Sequence, residues 1–156
     1  MAIPTGDYAA TAWTAAAGIK ALTIWQPWAE CIATGAKTIE NRRRPFRYRG
    51  PLAVHAGLRR DRHAESWPQM RALVGDPAAL VTGALVAVAD LVDCHPDRGC
   101  CRPWGDPDAH HLVLANIRRL PQPVPARGQR GLWDATHLLA TRPLDARPLD
   151  APEATP

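Results

Sequence analysis

Lysine is nearly missing from this 156-residue chain: Lys20 and Lys37 stand against seventeen arginines among 19 basic residues. Arginine and alanine take its place, a bias that looks like GC-rich coding and carries little functional meaning. No apolar run approaches the roughly 20 residues a membrane-spanning helix needs, so a membrane partner is not expected. The N-terminus lacks a basic stretch followed by a continuous apolar core, which argues against a secretory signal. Four cysteines in a chain of this length do not make a disulfide scaffold. The expected location is therefore a reducing cytoplasm.

What is present is proline (16), glycine (11) and a net charge of +4 with a pI near 9.2. The length suits one domain with a core of its own. The charge is uneven. From Lys37 to Arg62 there are nine basic residues against Glu40 and Asp61, while the remainder has ten basic and thirteen acidic residues. A local excess of that kind attracts phosphates or another anion; the simpler alternative is a solvated arginine face.

Taken in order, residues 1–18 are Ala/Thr-rich and are expected to form a poorly ordered arm, from which Trp13 could tuck onto the body. Lys20 to Trp25 alternates and predicts a strand. Pro27 opens a helix that carries Trp28, Ala29 and Ile32 and stops at Gly35. Lys37 to Asn41 predicts a short strand with Lys37, Ile39 and Asn41 on one face and Thr38, Glu40 and Arg42 on the other. An arginine-rich loop follows, then a buried strand from Leu52 to Ala56. Residues 58–74 are helical in pattern but Pro68 splits them into two short helices. Gly83 to Val92 is apolar almost throughout, as a central strand should be. An irregular loop spans 94–110, and His111 to Leu120 predicts another strand. Residues 121–128 are an extended connector, and Gly131 to Trp133 begin a last short strand. After Thr141 the tail repeats Arg-Pro-Leu-Asp-Ala and is expected to be disordered. The domain is thus expected over 19–140, with a Pro-rich tail over 141–156. Five or six short strands joined by Gly/Pro turns predict a mainly β, α+β fold: a partly closed barrel with the early helix across one opening and a helical insertion.

Leu22-Thr-Ile-Trp-Gln-Pro-Trp-Ala, Gly35-Ala-Lys-Thr-Ile-Glu-Asn-Arg, Tyr48-Arg-Gly-Pro-Leu-Ala-Val-His-Ala and the closing Gly128 to Trp133 together resemble the ASCH domain (activating-signal-cointegrator homology) over roughly 20–136. The resemblance implies a PUA-like barrel and a cleft lined by Lys37, Glu40 and Arg42 near Gln26 and Trp28. It also implies RNA or other nucleic-acid binding. A bacterial branch of small members hydrolyses the amide of N4-acetylcytidine with a lysine, a threonine three residues on as nucleophile, and a distant glutamate. Lys37 matches that lysine, but the position three on is Glu40, so the threonine chemistry does not carry over.

On chemical grounds Glu40 can accept a hydrogen bond from a base's amino group or act as a general base on water. Lys37 can neutralise a phosphate or a developing oxyanion. Arg42 can bind phosphate with two parallel bonds. The bland alternative is a structural ion pair. Trp28 is the better stacking candidate and Trp25 the better core candidate. Gln26 reads as a base-edge reader or as a stand-in for a helix N-cap. Arg43, Arg44, Arg47 and Arg49, with Arg42, are the expected backbone contacts. Cys94, His95, Cys100 and Cys101, with His110 and His111, raise zinc, but adjacent cysteines sit awkwardly in one tetrahedral site. No metal and no cofactor is assigned from the sequence, and Cys31 is expected in the core.

The leading expectation is an RNA or single-stranded nucleic-acid binder. The alternatives are a small amidohydrolase-like enzyme acting on a modified nucleoside or nucleotide, with Lys37 and Glu40 catalytic, and a binding protein for a small anionic ligand. Whether the chain is an enzyme stays open, as does its oligomeric state.

Overall fold

A computed structural model describes residues 18–140. The expected arm, with Trp13, and the expected tail lie outside the described residues, save for Gly18. Six strands form one mixed sheet. They are β1 (Lys20–Gln26), β2 (Ile39–Arg42), β3 (Gly50–Arg60), β4 (Ala84–Pro96), β5 (His110–Pro125) and β6 (Leu132–Asp134). Their order across the sheet is β2-β5-β4-β3-β1-β6. β1 and β3 run parallel, and the other pairs are antiparallel. The helices are short: α1 (Trp28–Ala33), α2 (Arg62–Glu65), α3 (Pro68–Val74) and α4 (Thr136–Leu139). Among the described residues no helix is long and apolar enough to cross a membrane.

The strand pattern explains the layering. Leu22, Ile24, Leu52, Val54, Ala56, Val86 and Leu91 pack with Ala29, Ile32 and Ala33 of α1 in one cluster. Ala21, Ala53, Leu85 and Val88 project to the opposite side, onto Trp133, Ala135 and Leu139. β1, β3 and β4 are therefore covered on both faces, which is why β4 is apolar at nearly every position. At six residues α1 is too short to be stable alone. It is held by burying Ala29, Cys31, Ile32 and Ala33, and truncating Ile32 to alanine would cost about 2–5 kcal/mol.

Pro68 does split the helical insertion, at the first turn of α3. Asp61 caps α2, its carboxylate accepting from the Ala64 N–H at 3.0 Å. Met70 of α3 packs on Cys31 and Ala64 and ties the insertion to α1. Cys31 is a core thiol, as expected, and burial pushes it up to about 11. Gly57 marks the closest approach of β3 to β1: an added Cβ would lie 2.9 Å from the Thr23 methyl and 3.5 Å from the Ile24 carbonyl.

Several strands run further than the local pattern indicated. β3 continues to Arg60, β4 to Pro96 and β5 to Pro125. β5 starts at His110, and it keeps Pro121, Pro123 and Pro125 because its register with β4 shifts repeatedly on the way. α4 was not expected at all; four residues carry no measurable period.

Candidate nucleic-acid cleft

Lys37, Glu40 and Arg42 do come together. Beyond the end of α1 the Gly35 N–H bonds the Ile32 carbonyl at 2.8 Å, and the Lys37 N–H then bonds back to the Cys31 carbonyl at 3.0 Å. This return folds Lys37 beneath Trp28, with Nζ 5.9 Å from the ring centroid. Glu40 and Arg42 follow on β2. The Glu40 carboxylate takes one cation on each oxygen: Lys37 Nζ at 3.4 Å on Oε2 and an Arg42 nitrogen at 3.1 Å on Oε1. Lys37 Nζ also donates to the Ile39 carbonyl, and Arg42 donates to the Thr23 carbonyl of β1 at 2.9 Å.

The expected division of these residues between two strand faces is corrected here. β2 begins at Ile39, so Lys37 lies in the preceding turn and is free of strand alternation. Its side chain reaches the same carboxylate that Arg42 does.

The three residues line a hollow of about 750 Å³. Lys37 and Glu40 are its floor, only 3% and 8% exposed. Trp25, Trp28, Trp67 and Trp104 supply apolar walls, and Thr23, Asn41, Asp61 and Asp106 add polar edges. Trp28 is held in place by its ring N–H, which donates to Asp61 at 3.2 Å, and by an edge contact with Trp67 at 6.0 Å.

Two expectations fail at this wall. Trp25 is not core: it is 47% exposed and carries the Arg59 guanidinium over its ring at 5.4 Å. Gln26 is not available to a ligand. It is fully buried, its amide nitrogen donating to the Val81 carbonyl at 2.7 Å and its oxygen accepting from the Glu30 N–H at 3.0 Å. The N-cap-like reading of Gln26 was the correct one.

The arginine loop divides. Arg43, Arg44, Arg47 and Arg49 are all exposed, but Arg49 alone of the four is tied down, through the Phe46, Tyr48 and Cys94 carbonyls and Asp93. Arg49 is therefore withdrawn from the expected backbone contacts. A second hollow, of about 420 Å³, shares Thr23 and Trp25 with the first and is edged by Arg59, Arg127 and Arg130. The sequence reading missed these three because they are distant in the chain, and missed Trp67 and Trp104 because nothing local marks them as cleft residues. Among the described residues, the side chains of His95, Cys100, Cys101 and His111 are also drawn together as a donor set.

No curated protein matches the chain. Among solved structures it is similar to a mutant ZmASCH protein from Zymomonas mobilis, at 16% identity, over 69% of this chain and 76% of that one, with a TM-score of 0.41. The family model of the ASCH domain matches residues 22–121, which span every residue of the Lys37–Glu40–Arg42 cleft. The chain belongs to the ASCH domain family.

Proposed function

We propose that this protein binds RNA or single-stranded nucleic acid by drawing one unstacked base into the tryptophan-walled cleft. The observation that carries the reading is Glu40, an acceptor pinned between two cations on the floor of a hollow with four tryptophans around it. A base slides between aromatic walls regardless of its identity, and an amino group on its edge meets the carboxylate below. The exposed Arg43, Arg44 and Arg47 continue from β2 and neutralise the flanking phosphates. The Arg42–Thr23 bond supports a sheet curled into a partly closed barrel. β2 and β1 stand four strands apart in the sheet order, roughly 19 Å if flat at about 4.8 Å per strand, yet one side chain spans them. Curling gathers the two strands around one mouth.

The hydrolase reading also uses Glu40. In the amide-hydrolysing branch that the sequence resembles, the position three after the lysine is the threonine nucleophile, and here it is Glu40 itself. That favours binding over hydrolysis.

The test is a titration of fluorescent single-stranded RNA and DNA at rising salt, with wild type and Glu40→Gln. Salt-sensitive binding weakened by Glu40→Gln is expected. Binding absent at low salt would overturn this reading, and release of cytidine from N4-acetylcytidine by wild type but not Lys37→Ala would replace it with the enzymatic one.

A further inference from the structure

The loop joining β4 to β5 carries chemistry that the cleft does not use. His95 near the end of β4 and His111 near the start of β5 are direct cross-strand partners, with ring centroids 5.4 Å apart. Cys100 and Cys101 come back over them from the loop. The Cys101 sulfur lies 3.7 Å from His95 Nε2, the Cys100 sulfur 4.0 Å from His111 Nδ1, and the two sulfurs 3.4 Å from each other. All four donor atoms fall within 4.8 Å of one another. A tetrahedral zinc with Zn–S about 2.3 Å and Zn–N about 2.0–2.1 Å sets edges of roughly 3.4–3.8 Å between its ligands.

We propose that His95, Cys100, Cys101 and His111 form a structural zinc site. The tautomers are already set for it. His95 Nδ1 lies 2.9 Å from the Pro96 carbonyl and His111 Nε2 lies 2.9 Å from the Asp106 carbonyl. A carbonyl only accepts, so those nitrogens carry the protons. The opposite nitrogen of each ring is left bare, and in both cases it is the one facing the sulfurs. Metal-bound histidines are oriented by this kind of outer bond.

The objection to adjacent cysteines is met by the backbone. Cys101 has φ 65°, in the left-handed region that non-glycine residues seldom occupy. The turn there lets consecutive sulfurs face one point. The loop also closes tightly behind them: a Cβ on Gly105 would lie 2.7 Å from the His111 ring and 2.9 Å from the Cys101 Cβ. Strand alternation selects the histidine and rejects its neighbours. Cys94 and His110 point to the other sides of their strands from His95 and His111, and the Cys94 sulfur instead takes the Phe46 N–H at 3.4 Å.

Two thiolates and two imidazoles neither favour a hard cation nor leave an open position, so the ion is structural rather than catalytic. It has one structural consequence. The same loop supplies Trp104 and Asp106 to the cleft, so the ion fixes that wall.

The test is zinc content by mass spectrometry of protein purified under reducing conditions without chelator. Cobalt replacement is followed by absorption. About one zinc per chain is expected, with the thiolate charge-transfer and intense d–d bands of tetrahedral cobalt. Cys101→Ser and His95→Ala should drop the stoichiometry to near zero, while Cys94→Ser keeps it. If those variants fail to fold, wild type stripped with a mercurial and retitrated with zinc gives the same answer. Substoichiometric metal with no tetrahedral cobalt spectrum, a Cys100–Cys101 disulfide in the freshly reduced and desalted protein, or loss of zinc in Cys94→Ser would overturn the proposal. Nucleic-acid binding plays no part in this readout, so it stands or falls separately from the cleft.

Discussion

Asn41 grips the backbone of the Trp104 loop with both ends of its amide: the nitrogen donates to the Trp104 carbonyl at 2.8 Å and the oxygen accepts from the Asp106 N–H at 3.0 Å. One β2 side chain thus joins the charged floor of the cleft to its far wall. Replacing it with alanine removes two neutral hydrogen bonds, each contributing about 1 kcal/mol. RNA affinity in Asn41→Ala should fall by about tenfold, while zinc content is unchanged. Fluorescence anisotropy and metal analysis on one preparation check both; unchanged affinity would separate Asn41 from the binding surface.

Glu40 should matter to stability as much as to binding. Its carboxylate is the shared partner of two cations, and its loss would strand Lys37, 3% exposed, without its counter-charge. Uncompensated burial of a charge costs about 3–5 kcal/mol. Because the Arg42 side chain keeps 27% exposure, about 3 kcal/mol is expected for Glu40→Ala in urea unfolding. Lys37→Met with Glu40→Leu together should recover most of that loss, and would leave the cleft unable to bind.

Tryptophan contributions should differ by place, not by type. Trp104→Ala removes a stacking wall, and base–aromatic stacking contributes about 1–3 kcal/mol per base. A five- to hundredfold weakening for single-stranded RNA is expected. Trp67→Ala should show at least as large a loss, since this ring lines the cleft and also braces Trp28. Equal affinity for wild type and Trp104→Ala would move the bound base elsewhere, with the Arg59–Arg127–Arg130 hollow the next place to examine.

The exposed arginines should appear in the salt dependence. For single strands the slope of log K against log salt is about −0.7 per phosphate neutralised. Changing Arg43, Arg44 and Arg47 to alanine together should flatten that slope by about 2. Arg49→Ala should instead lower stability, because its guanidinium is committed to three carbonyls and Asp93.

His55 predicts a pH effect on folding. It is 1% exposed, with Nε2 2.9 Å from the Ala126 carbonyl, and burial holds it below its ordinary value of 6.5. The unfolded chain therefore binds a proton that the folded chain refuses. Stability is full above about pH 6.5 and falls as pH drops below it, by at most about 1.4 kcal/mol per pH unit. Urea midpoints between pH 5 and 7.5 measure this. His55→Gln should lose that part of the slope; an identical slope in both proteins would assign the effect to another group.

Much of this protein was legible in its residues one stretch at a time. The apolar run of β4, the split helix at Pro68 and the placement of Cys31 each follow from spacing, because the forces involved act within a few residues; strand spacing divided Lys37 from Glu40 and Arg42, and only the family resemblance implied that they meet. The tertiary structure decided what depends on distant partners. Gln26 turned inward because Val81, fifty-five residues on, offered a carbonyl in the interior, and Trp25 stayed half in solvent near the end of β1, outside both core clusters. From the sequence, Cys94, His95, Cys100 and Cys101 with His110 and His111 raised zinc as one undivided cluster, and no metal was assigned. Strand alternation turns Cys94 and His110 away, and the β4–β5 register sets His111 opposite His95. A chain can write its own strands locally; which side chains meet across them is settled only when the strands pair.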